Sequence, residues 1–215
     1  MTDLSTNIKA IIFDLDGVLI DSETGIEESF RQILKKHADF NLTSKLYKKY
    51  FLGRTDHEGF RLFAKSYPEI SLPNLDKIMQ DKYLAMIGTK ITPYPQAEIV
   101  INQAAEQYSI ALATNSQLWQ VEALNQILPL SKYFPIITTS DEIKHSKPHP
   151  EIYLKTAAKM NKEPKDCVAI EDTVSGIQSA KSAGLICWAV AHTLPKKKLA
   201  KADRVFDIIG DINFN

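Results

Sequence analysis

Apolar positions change rhythm twice along the chain. Residues 9–13, KAIIF, form an unbroken apolar run after the lysine, the pattern of a strand buried on both faces. From about residue 22 to 87 the period lengthens to that of a helix. Ile26, Phe30, Ile33, Leu34 and His37 fall on one face, and so do Leu75, Ile78, Met79, Tyr83, Met86 and Ile87, after a Pro73 suited to a helix start. LYKKYF and HEGFRLFAKSY predict two further helices joined by the loop GRTD, with Thr55 and Asp56 as cap candidates. No segment of this stretch reads as a strand. ITPYPQA, with two prolines, predicts a stiff connector.

After the connector, strands and helices alternate. A helix is expected near 96–107, then the strand YSIALAT, a helix at 117–127 and the strand FPIITT. A helix from about Pro150, the strand CVAIED, the helix TVSGIQSAKSAG closed by Gly184, the strand LICWAV and a short strand DRVF complete the chain. Continuous apolar strands alternating with helices predict an α/β fold, a doubly wound, Rossmann-like parallel sheet covered on both sides with right-handed crossovers. The helical stretch interrupts it after the first strand. The expected division is therefore an α/β core of residues 1–20 and 92–215 and an inserted helical cap of residues 21–91. Two connectors would let such a cap open and close over a cleft.

Charge narrows the partners. Lysine plus arginine and aspartate plus glutamate both number 26, a formal balance of zero across 215 residues. That gives no electrostatic footprint for nucleic acid or an anionic membrane. The basic run at 196–198 reads as a solvated surface segment. No apolar run approaches the ~18 residues of a membrane span, and the N-terminus lacks a secretory pattern. Cys167 and Cys187 lie in apolar stretches and read as buried free thiols. The expectation is a soluble, cytoplasmic, monomeric protein acting on a small molecule.

The chemistry gathers where strands end, because ligands of a doubly wound sheet bind beyond the carboxyl ends. The first strand ends in Asp14 and Asp16, YSIALAT in Thr114, Asn115 and Ser116, and CVAI in Glu171, Asp172 and Thr173; SKPHP places Lys147 just before a helix. Two carboxylates about 4 Å apart repel by roughly 4 kcal/mol at an effective dielectric of 20, so the acids need a compensating cation or proton. Hard oxygen ligands suit Mg²⁺. A hydroxyl, a lysine and helix N-terminal amides suit a phosphate.

DLDGVLIDSE, ATNS, SKPHPEIY and IEDTVSGI, in that order, resemble the four motifs of the haloacid dehalogenase superfamily. The insertion site, PYPQA and ADRVF resemble its helical-cap subgroup of sugar-phosphate phosphatases, phosphoglycolate phosphatases and β-phosphoglucomutases. The resemblance implies Asp14 as a nucleophile forming an aspartyl-phosphate and Asp16 as the general acid and base. It implies Mg²⁺ held by Asp14, the Asp16 backbone carbonyl and Asp172, with Glu171 a ligand or a support behind them. Thr114 and the Asn115 amide would grip the phosphate, and Lys147 would orient Asp14 and neutralise charge.

An acid at position 16 implies C–O–P cleavage, since the dehalogenase and phosphonatase branches carry an apolar or aromatic residue there. The mutases carry a cap histidine where this chain has Ile26, and their phosphate-gripping cap arginine falls at Asp56. The implied activity is a Mg²⁺-dependent phosphatase of a sugar phosphate or phosphorylated hydroxyacid. A β-phosphoglucomutase-like mutase and a non-catalytic phosphate-binding regulator are the alternatives; a receiver-type signalling domain would lack the lid and the acid. Arg54, Thr55 and His57 either face the substrate or form a polar turn. His145 and His149 are placed on the cleft rim, Trp119 and Trp188 in packing, and Gln96 stands where the subgroup commonly has glycine.

Overall fold

The structure, a computed structural model, describes residues 8–70 and 76–214. Strand β1 (Ala10–Phe13) leads through a tight loop into the two-residue β2 (Ile20–Asp21). Helices α1 (Glu23–Ala38), α2 (Ser44–Tyr50), α3 (Asp56–Ser66) and α4 (Asp76–Met86) follow, and β3 (Thr92–Pro93) returns the chain. Then come α5 (Ala97–Gln107), β4 (Ser109–Ala113), α6 (Leu118–Leu124), α7 (Leu130–Tyr133) and β5 (Ile137–Thr138). The chain finishes with α8 (Glu151–Lys159), β6 (Cys167–Glu171), α9 (Val174–Ser182), β7 (Ile186–Val190) and β8 (Arg204–Phe206).

Six strands form one parallel sheet in the order β5-β4-β1-β6-β7-β8. Alternation within β1 divides the core. Ile11 and Phe13 pack with Leu112, Val168 and Ile170 on one face. Ala10 and Ile12 pack with Ala111, Ala169 and the α8 residues Ile152 and Tyr153 on the other. Burying a side chain such as Ile11 or Phe13 stabilises the fold by about 1.5–3 kcal/mol. Because β1 lies between β4 and β6, the strand order reverses beside it, and that switch point is where a crevice opens.

The inserted helices have a core of their own, built from Phe30, Ile33, Leu34, Leu42, Tyr47, Tyr50, Phe51, Phe63 and Met79. Its rings stack, as in Phe30–Phe51 at 4.4 Å, and meet edge-on, as in Tyr50–Phe63 at 5.7 Å. Thr55 caps α3, its hydroxyl accepting from the Glu58 amide at 3.3 Å. Leu75 and Pro73 of the predicted fourth helix lie outside the described residues.

Three details differ from the sequence pattern. ITPYPQA is not only a stiff connector: Ile20 and Asp21 pair antiparallel with Pro93 and Thr92, so both crossings to the cap run together as a ribbon. FPIITT yields only Ile137–Thr138 as strand, because Pro135 offers no amide to the ladder. The turn α7 before it has too few residues to carry a periodic signal.

Gln96 adopts φ 66°, a left-handed conformation that costs an L-residue roughly 1–2 kcal/mol. Glycine would relieve this and return part as unfolded-chain entropy. Gln96→Gly is expected to raise stability by about 0.5–1 kcal/mol in urea unfolding; a fall in the midpoint would show that the Gln96 side chain, packed beside Gly210, contributes more.

Cys167 and Cys187 are buried free thiols. Lys196, Lys197 and Lys198 are exposed on one turn, Lys196 paired to Asp207 at 2.8 Å. Among the described residues no helix is long and apolar enough to cross a membrane.

Candidate active site

Four loops at the carboxyl edge of the sheet bring the predicted residues together. Asp14 follows β1, Thr114 follows β4, Lys147 precedes α8, and Glu171 and Asp172 end β6. Their parallel register explains the convergence, since Phe13 lies beside both Leu112 and Ile170. Lys147 is 3% exposed, and its ammonium donates to Asp14 Oδ1 at 2.7 Å, Glu171 Oε1 at 2.7 Å and the Ala113 carbonyl at 3.0 Å. It also lies 4.9 Å from the centre of the Tyr153 ring, whose hydroxyl donates to Glu171 Oε1 at 2.6 Å.

Glu171 is saturated by these contacts. Its Oε1 accepts from Lys147 and Tyr153, and its Oε2 from the Asp172 amide at 3.2 Å and the Thr173 hydroxyl at 3.4 Å. Asp172 is the opposite case: both carboxylate oxygens are buried, and among the described residues neither has a hydrogen-bond partner of good geometry, Thr193 being the donor nearby. An unpaired buried carboxylate is costly. Burial, then the charges of Asp14 and Glu171, push its pKa well up. Burial likewise raises Asp14 to about 8, against the opposing pull of Lys147. Burial disfavours the Lys147 ammonium, but Asp14 and Glu171 outweigh it and drive the pKa up.

Asp14, Glu171 and Asp172 each offer an oxygen within 4.8 Å of the others, so three carboxylates face one ammonium. The chemistry of this set fits a hard divalent cation: all-oxygen donors, excess negative charge and an orphaned Asp172. Two glycines make room. A Cβ on Gly17, which has φ 79°, would fall 1.9 Å from Asp172 Oδ2, and one on Gly176 1.9 Å from the Glu171 carboxyl.

Asp16 is placed apart from that trio. Its Oδ1 accepts from the Ser22 hydroxyl at 2.6 Å and its Oδ2 from the Ser116 hydroxyl at 2.5 Å. Ser116 thus serves Asp16 rather than the α6 cap; that cap is Gln117, and Thr114 Oγ1 accepts from the Ser116 amide at 2.9 Å. Asn115 spans core and cap, its Oδ1 accepting from the Lys147 amide at 3.3 Å and its Nδ2 donating to the Gly53 carbonyl at 3.4 Å.

The cap and these groups line an open cavity of about 980 Å³. Ser175 Oγ also donates to the Gly53 carbonyl at 3.2 Å, Ser146 Oγ donates to Glu58 at 2.7 Å, and Tyr83 meets Trp119 edge-on at 5.4 Å. Arg54 lines the cavity, although its guanidinium turns toward the Lys49 and Leu52 carbonyls at 3.4 and 3.5 Å. His145 and His149 line it too, with rings 4.7 Å apart.

Sequence reasoning missed Ser22, Tyr153, Glu23 and Tyr47. Ser22 stood inside the first motif and could have been found there. Tyr153, the last residue of the motif SKPHPEIY, could have been found there too, although the glutamate it serves lies 18 residues on.

A family model described as haloacid dehalogenase-like hydrolase matches residues 11–190. The phosphorylated carbohydrates phosphatase of Thermotoga maritima is 28% identical across 95% of this chain and 100% of its own length. The fructose-1-phosphate phosphatase YqaB of Escherichia coli is 29% identical across 81% of this chain and 92% of its own. Among solved structures, CbbY from Rhodobacter sphaeroides in complex with phosphate has TM-score 0.82 at 25% identity, covering 95% of this chain and 96% of that one. The β-phosphoglucomutase of Clostridium difficile has TM-score 0.82 at 25% identity, covering 96% and 94%.

Proposed function

The chain belongs to the haloacid dehalogenase-like hydrolase family, and on that premise we propose that it is a Mg²⁺-dependent phosphatase of small phosphate monoesters working through an aspartyl-phosphate. The observation that carries this reading is the buried Lys147 ammonium, 2.7 Å from both Asp14 and Glu171, with the Asp172 carboxyl clustered against those two acids at the foot of the cavity. Asp14, Asp172 and the Asp16 backbone carbonyl would hold the ion. Glu171, its oxygens already filled, supports them by fixing Lys147. When bound, the ion neutralises the acidic cluster and the phosphoryl oxygens.

The remaining work falls to side chains. Thr114 and the Asn115 amide orient the phosphoryl group, and Lys147 offsets its charge. Asp14 attacks phosphorus; its oxygen–phosphorus bond forms as the ester oxygen–phosphorus bond breaks. Asp16 gives its proton to the departing oxygen. It then takes a proton from the water that attacks the aspartyl-phosphate, releasing phosphate and restoring Asp14. Ser22 and Ser116 hold Asp16 at the cavity wall for both roles.

Ile26 lines the cavity where the mutases carry their cap histidine, which supports hydrolysis over transfer within one sugar. The sugar-phosphate names of relatives support a phosphorylated metabolite as substrate. A screen of phosphorylated metabolites that reads both phosphate release and isomerisation tests the reading: isomer without phosphate would install the mutase. Metal binding has its own readout. Because an ion that binds only the folded chain stabilises it by about 2.7 kcal/mol at a hundred times Kd, Mg²⁺ is expected to raise Tm by roughly 5–10 °C. EDTA should reverse the shift and stop phosphate release. Activity that survives EDTA would overturn the metal's role.

A further inference from the structure

Across the cavity from Lys147 and Thr114 the cap presents an acidic side chain that hydrolysis leaves without a task. Glu23 opens α1, where the chain enters the cap, and its carboxyl lines the cavity. Its Oε2 accepts from the Tyr47 hydroxyl at 2.9 Å. Its Oε1 has no hydrogen-bond partner among the described residues, and no ammonium or guanidinium pairs with it there. Burial pushes its pKa up to about 7, opposed by the Tyr47 hydrogen bond and reinforced by Asp16, Glu27 and Asp21. Ile26 and Phe51 line the same wall as apolar surface.

We propose that Glu23, oriented by Tyr47, accepts a hydrogen bond from a hydroxyl of the leaving group, so that the site takes phosphate esters of neutral polyols such as sugars and rejects esters whose leaving group carries a carboxylate. This rests on the reading of the cavity as an ester-hydrolysing site. The phosphoryl end is fixed by the sheet-edge loops, which leaves the leaving group facing the cap. A polyol has a hydroxyl to donate to Oε1 and a CH face to lay on Ile26 and Phe51. A carboxylate would enter a wall that already holds the Asp16 and Glu23 carboxyls, and would meet like charge from Asp16 and from ionised Glu23. Arg54, Arg61 and Lys144 line the cavity as competing cations, but the Arg54 guanidinium is turned toward carbonyls of its own loop, and Arg61 and Lys144 are exposed.

The test compares kcat/KM for glycerol 3-phosphate and 2-phosphoglycolate, with p-nitrophenyl phosphate as reference, in the wild type, Glu23→Gln and Tyr47→Phe. The wild type is expected to favour glycerol 3-phosphate. Glu23→Gln, which keeps shape and removes charge, should lower that ratio on the order of tenfold, the size of one charge-assisted hydrogen bond. Tyr47→Phe should move the ratio the same way, through KM. A wild-type preference for phosphoglycolate, or an unmoved ratio in a folded Glu23→Gln variant, overturns the assignment while the hydrolase reading stands. Failure of the wild type to hydrolyse any of the three esters overturns the hydrolase reading, and this assignment with it.

Discussion

Replacing Asp14 with asparagine is expected to lower Mg²⁺-dependent hydrolysis of p-nitrophenyl phosphate by about 10⁴-fold or more, the scale on which deletion of a covalent nucleophile acts. The substitution isolates chemistry from folding. Asparagine keeps an oxygen to accept from Lys147, so the contact at 2.7 Å can persist. It also removes one of three buried carboxylates that crowd one ammonium, relieving the repulsion that raises Asp14 and Asp172. The variant should therefore fold and melt no lower than the wild type in EDTA. Phosphate release within tenfold of the wild type would refute Asp14 as nucleophile, because an amide cannot form the acyl-phosphate.

Replacing Asp16 with alanine is expected to divide the reaction in two. An activated ester such as p-nitrophenyl phosphate leaves without a proton, so Asp14 should still be phosphorylated. The second step, which needs a base to activate water, should slow by about 10²–10⁴-fold. The signature is a burst of p-nitrophenol equal to the enzyme concentration, followed by a slow steady state. An alkyl phosphate, whose leaving group needs the proton, should show no burst. The prediction has a structural control in Ser22 and Ser116, whose hydroxyls hold Asp16 at 2.6 and 2.5 Å. Removing Asp16 leaves the Ser116 hydroxyl on the cavity wall but strips the fully buried Ser22 hydroxyl of its acceptor, so the variant should also lose about 1–3 kcal/mol of stability. Unchanged steady-state rates would remove Asp16 from both roles.

The fold was legible where burial imposes a rhythm. CVAI and YSIALAT are central strands with both faces covered, and composition alone marks them. The ribbon of Ile20–Asp21 with Thr92–Pro93 was not legible, because two-residue strands carry no period and their partners lie some 70 positions apart. The left-handed Gln96 likewise follows from the chain's need to turn after that ribbon, not from any preference of glutamine.

The site divides along the same line. Which residues could do phosphoryl chemistry was written locally, in acids at strand ends, a Thr-Asn pair and a lysine before a helix. How they divide the labour needed three dimensions. Glu171 and Asp172 are adjacent and chemically alike, yet one is filled by Lys147, Tyr153, Thr173 and a backbone amide while the other has no well-placed donor among the described residues. Local pattern determined the alternation of strands and helices and the identity of the ionisable groups, because both depend on neighbours a few positions away. Only the tertiary structure decided which carboxylate is left without a well-placed donor, which is clamped by serines and which is held by Tyr47 on the cavity wall. Those outcomes depend on hydrogen-bond donors delivered by segments remote in sequence, and burial makes each donor's presence or absence decisive.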